Sequence, residues 1–206
     1  MNPRPRNPRP RIDVSALPTT AFGHREPLWW GVVAMLVIET TVFAMLFATY
    51  FYLRGNEAIW PPGGSPPIGP ATAGLVLALL SVIPMWKVHK ETETRSLKRM
   101  RFWLLVAQVL AFLSLILRVA EFGELPFRWD HHAYGSIVWT ILGTHAIHLL
   151  TSNGENVLFL ALLFKGPVEE KHLLDLRLNA LYWYTVVGWW VALYALIYLD
   201  PGVLRS

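Results

Sequence analysis

Glu39, His145 and His148 are the side chains most plainly placed for chemistry, because each interrupts a long apolar stretch. Glu39 lies in Leu36-Val37-Ile38-Glu39-Thr40-Thr41-Val42-Phe43, and the two histidines stand three residues apart in Gly143-Thr144-His145-Ala146-Ile147-His148. On a helix that spacing puts both imidazoles on one face. A carboxylic acid and an imidazole held together away from water can exchange a proton. A plainer use of such groups is to join helices, at about 0.6–2 kcal/mol per hydrogen bond inside a membrane. Both uses need Glu39 to meet one of the histidines across a helix interface.

Other chemistries fit these residues less well. A bis-histidine haem takes axial ligands from two facing helices, whereas His145 and His148 share one helix and His24, His89, His131, His132 and His172 fall in loops or near element ends. A metal on the histidine pair needs further ligands, and only Glu39 is expected at that depth. The chain has no cysteine, which removes disulfides, thiolate zinc sites and iron–sulfur clusters. No phosphate-binding glycine loop, nucleophile elbow or zinc-protease helix motif is present. Cofactor and metal sites are therefore not expected in this chain. Glu121 and Glu155 are secondary polar candidates, the latter close enough to a span end for water to reach it.

These residues must be positioned by membrane-crossing helices. Of 206 residues, 54% are hydrophobic and 16% charged, and the mean hydropathy is +0.39. The charges cluster between apolar runs instead of lining every helix, so the net charge of +4 does not point to nucleic acid. A hydrocarbon core of about 30 Å takes about 20 apolar residues as a helix. Five runs approach that length, 28–53, 71–88, 100–122, 134–164 and 180–199. The expected fold is all-α, a polytopic bundle of five transmembrane helices over 28–206, preceded at 1–27 by a disordered, Pro- and Arg-rich tail. Pro84 should kink the second helix, and the polar stretch 151–156 is a candidate break in the fourth.

Basic residues set the expected orientation. Five lie in the tail, six in 87–101 and three in 165–177, against Arg54, Arg118, Arg128 and Arg205 on the other side. The positive-inside rule then puts the N-terminus inside and the C-terminus outside. Glu39 and the histidines come out at similar depth, with the imidazoles roughly 16–21 Å from the outer end of their helix. Ten tryptophans exceed what interfacial anchoring needs, and Trp183, Trp189 and Trp190 fall inside the fifth span, as for a chain that packs on a larger partner. No internal repeat suggests a two-fold transporter.

Ordered motifs carry a resemblance over nearly the whole chain after the tail. They are Ile38-Glu39-Thr40-Thr41 followed by Phe47 to Arg54 and Trp60-Pro61-Pro62-Gly63; then Glu121-Phe122, Leu125-Pro126-Phe127 and Tyr134-Gly135-Ser136; then Gly143-Thr144-His145-Ala146-Ile147-His148; and finally Ala180-Leu181-Tyr182-Trp183. In this order they resemble subunit III of the haem–copper oxidases of the cytochrome c oxidase type, in a short five-helix bacterial form. The resemblance implies a non-redox accessory subunit in a bacterial inner membrane. Its expected partners are the catalytic subunit I, subunit II and phospholipid, with haem and copper in the partner subunits. It also implies that Glu39 is the family's carbodiimide-reactive carboxyl and that the subunit supports proton uptake. The family continues Tyr-Trp with His and, three residues on, Asp; this sequence has Tyr184 and Val187. Other readings are a subunit-III-like protein of a nitric oxide reductase, a freestanding proton-coupled transporter using Glu39 and the histidines, and an assembly or lipid-binding scaffold.

Overall fold

The computed structural model describes residues 27–62, 64–166 and 168–200. The expected tail lies almost wholly outside them, as does Arg205. The described residues form five helices, α1 (Pro27–Asn56), α2 (Ile68–Thr94), α3 (Leu97–Glu124), α4 (Ala133–Lys165) and α5 (Glu170–Tyr198). All five are long and apolar enough to cross a membrane. Their order along the chain puts the start of α1, the α2–α3 turn and the α4–α5 turn at one end, called here the basic end.

Helices α2, α3, α4 and α5 form a ring in which each touches two neighbours, and α1 lies outside it against α4 and α5. The tightest pair is α2 with α3, and the sequence explains why. Their buried positions recur with a seven-residue repeat: Ala71, Gly74, Ala78, Ser81, Met85, Val88 and Thr92 on one, Met100, Leu104, Ala107, Ala111, Ser114, Arg118 and Glu121 on the other. Small residues at such positions let two backbones approach, which matters in a membrane because lipid tails are as apolar as the side chains they would compete with. Helix α5 closes the ring, with 61% of its apolar stretch buried, against 6% in α1.

Three details differ from the sequence expectation. The basic run 87–101 is not a loop: α2 continues through Pro84 to Thr94, α3 starts at Leu97, and only Arg95 and Ser96 lie between. The helices outlast the apolar segments because their polar ends extend into the interface. The stretch 151–156 does not break α4: Ser152, Asn153 and Asn156 face the bundle interior, where Asn153 and the Asn156 carbonyl oxygen find partners on neighbouring helices. Gln108 donates to Asn153 at 2.9 Å, and Asn179 donates to Asn156 at 2.8 Å. Helix α5 begins at Glu170, ahead of the predicted 180, because Glu169 and His172 close a capping box.

The entry to α4 shows why Tyr134-Gly135-Ser136 stands where it does. His132 caps the helix, its Nδ1 accepting from the Gly135 N–H at 2.9 Å. A Cβ on residue 135 would lie 2.5 Å from the Arg128 carbonyl, so only glycine fits. Ser136 Oγ donates to the Trp129 carbonyl at 2.6 Å, and fully buried Tyr134 packs on Trp60 and Phe127. At the same end Asp200 ties α1 to α5, accepting from Tyr50 at 3.1 Å and pairing with Arg54 at 2.6 Å.

Candidate functional site

Helix α1 meets α4 and α5 around Phe43, whose ring lies 4.5 Å from that of Trp189 and 5.2 Å from that of His148. One turn below Phe43, Glu39 Oε1 lies 3.7 Å from His148 Nε2. This is the interhelical meeting that the sequence required, and it is longer than a direct hydrogen bond. The side chains of His148 and Glu39 are 14% and 21% exposed. Thr40 and Thr41 take no part in it, since their hydroxyls bond back to Leu36 and Val37 carbonyls of their own helix.

The surrounding bonds determine which protons the pair can carry. His148 Nδ1 is 2.7 Å from the Thr144 carbonyl, which can only accept, so Nδ1 carries hydrogen. A neutral His148 therefore turns the lone pair of Nε2 toward Glu39. With one proton between them, on the carboxyl or on Nε2, the facing atoms attract; with none, two acceptors face each other away from water. Glu39 Oε2 is buried without a hydrogen-bond partner among the described residues. The geometry can thus accommodate one proton between the two groups and leaves one carboxylate oxygen with spare accepting capacity.

His145 does not belong to it. Although three residues from His148, its ring turns into the four-helix ring and is 1% exposed. Nδ1 accepts from Arg118 Nη2 at 3.3 Å and Nε2 donates to the Val186 carbonyl at 3.1 Å. A carbonyl and a guanidinium leave one arrangement, neutral imidazole with hydrogen on Nε2. Arg118 in turn donates to Glu121 at 2.7 Å and lies 3.5 Å over the Trp190 ring, which also stacks on His145. Tyr198 donates to the other Glu121 oxygen. α3 and α5 make no backbone contact across the ring, so these long polar side chains fill its centre. Val187 lines the same interior.

Of the two histidines, His148 is the one that meets Glu39, because a spacing of three leaves about 60° between side chains, enough to aim them at different neighbours. One correction concerns Arg118: counted with the basic residues of the far side, it is an interior charge, its side chain 3% exposed. The Arg118–Glu121 pair was missed as a pair, though its i, i+3 spacing inside an apolar run was a legible signal. Glu121 belongs to this network. Glu155 instead lines a cavity of about 370 Å³ at the basic end, between α1, α4 and α5. Among the described residues no group of three His, Cys, Asp or Glu side chains is placed to hold a metal ion.

Comparison with known proteins gives a consistent result. The family model described as cytochrome c oxidase subunit III matches residues 17–201. The chain is similar to cytochrome c oxidase subunit 3 of Mus musculus, 27% identical over 193 residues that cover 87% of this chain and 74% of that protein. It is similar to the protein of the same name from Synechocystis sp., 24% identical over 183 residues covering 86% and 77%. The Aedes aegypti protein is 26% identical over 183 residues, covering 83% and 68%.

Proposed function

This chain belongs to the cytochrome c oxidase subunit III family, and on that premise we propose that it is the non-redox third subunit of a proton-pumping terminal oxidase. The observation that carries the reading is the family match, which spans all of the described residues. The chain is a multi-pass membrane protein, and family membership implies a complex with other oxidase subunits. In this reading it packs against subunits I and II, binds phospholipid, and leaves haem and copper to the partners. It sits in a bacterial inner membrane with the N-terminus inside and the C-terminus outside. The concentration of Lys and Arg at the basic end supports that orientation.

Within the complex, Glu39 and His148 serve as a proton-holding pair that supports uptake by the catalytic subunit. The geometry favours this over simple helix joining: at 3.7 Å the pair makes no direct hydrogen bond, and a buried carboxylate oxygen stays unpaired. His145, Arg118 and Glu121 serve the bundle itself.

The test is purification from the native membrane. The chain should come in stoichiometric complex with a haem-bearing polypeptide that reduces oxygen, and its deletion should leave activity that begins normally and fails during turnover. Recovery with a nitric oxide-reducing core, or alone with transport activity in liposomes, overturns the reading.

A further inference from the structure

The cavity at the basic end leads toward Glu39. It is lined on α1 by Leu28, Val32 and Met35, one turn short of Glu39, and its polar lining comes from Glu155 on α4 and Asp175, Asn179 and Tyr182 on α5. Glu155 lies seven residues from His148 on α4, two turns and about 10 Å nearer the basic end on the same face. Glu39 and Glu155 are within electrostatic range of each other, and both act on Tyr182. The titratable groups around Glu155 are therefore Glu39 from α1 and Asp175 and Tyr182 from α5.

We propose that this cavity is a water-filled half-channel and that Glu155 relays protons between the basic-end solvent and the Glu39–His148 pair. The inference rests on the reading of that pair given above. Two carboxyl groups set into one groove are poorly solvated by an acyl chain and well solvated by water. At ~30 Å³ per molecule, a cavity of about 370 Å³ has room for about twelve waters. In the relay, an O–H bond of Glu155 breaks as one forms on the Glu39 carboxylate through intervening water. The Glu155 carboxylate is then reprotonated by hydronium from the basic-end solvent at the cavity mouth, beside Asp175. Glu155 is restored, and the net result is one proton drawn from bulk solvent that leaves the Glu39 carboxyl neutral.

The lack of cysteine makes the water content testable in the full-length protein in its own membrane. Cysteines placed at Val32 and Phe159 should react with a charged, membrane-impermeant thiol reagent about tenfold faster than those at Val37 and Val157, because only a hydrated thiol ionises. The first two side chains line the cavity, and the second two are 62% and 52% exposed on the apolar exterior. Equal rates overturn the half-channel. For the relay, transfer of the full-length protein into heavy water should deuterate the Glu39 carboxyl, followed by its infrared band and assigned with Glu39→Gln. Glu155→Gln should slow that exchange by about tenfold, and Glu155→Asp should restore most of it. An unchanged rate in Glu155→Gln overturns the relay. Neither readout requires oxygen reduction, so both can succeed even if the oxidase assignment fails, and either can fail while it holds.

Discussion

His145 and His148 are one helical turn apart on α4 and have opposite surroundings. His145 has both nitrogens engaged, by Arg118 and by the Val186 carbonyl, and is sealed inside the ring with Glu121, Trp190 and Tyr198. His148 has one nitrogen engaged and presents the other to Glu39 across the α1 interface. The network around His145, in which Arg118 Nε is left without a partner among the described residues, fixes both imidazole nitrogens in one arrangement and so contributes rigidity. The open pair leaves a carboxylate oxygen without a bond, which is the feature that the proposed proton-holding role draws on. The difference is made by the neighbours: α3 and α5 enclose the first imidazole, while the second faces the loosely seated α1 and is 14% exposed.

The most damaging way to break this contrast is to orphan a charge in the closed network. Glu121→Leu leaves Arg118 unpaired where its side chain is 3% exposed, and should lower stability by about 3–5 kcal/mol, read as loss of folded protein in detergent melts. Tyr198→Phe removes a single bond to a charged oxygen and should cost about 1.5–3 kcal/mol in the same assay. Glu39→Gln reverses the pattern: stability should change by less than about 1 kcal/mol, because no direct bond is lost, while sustained oxidase turnover falls. Equal stability losses in Glu121→Leu and Glu39→Gln would erase the distinction between the two regions. The gentlest probe perturbs nothing: nitrogen NMR of the imidazoles should find His145 with hydrogen on Nε2 and neutral His148 with hydrogen on Nδ1.

Much of this is legible in the sequence. Five apolar runs gave five helices, because in lipid a backbone has to satisfy its hydrogen bonds within one segment. The Glu39–His148 contact was foreseeable from matched depth, since rise per residue places a side chain along the membrane normal. Rotation about the helix axis was not foreseeable in the same way. His145 and His148 looked equivalent because the face they share borders two interfaces, and which helix occupies each depends on packing. Arg118 was misread for a related reason. Near a span end, a lone arginine reads as a charge of that side until Glu121, Tyr198 and the Trp190 ring are found around it.

Composition, spacing and motif order by themselves determined that the chain is a set of membrane helices, which acids and imidazoles are buried, and which family they resemble. Tertiary structure decided which of those groups meet. Small residues on α2 and α3 draw that pair together, α5 closes the ring, and α1 is left on the outside with Glu39. The physical reason is that burial and depth follow from local sequence, whereas the partner of a buried polar group is a non-local outcome of how all five helices fit.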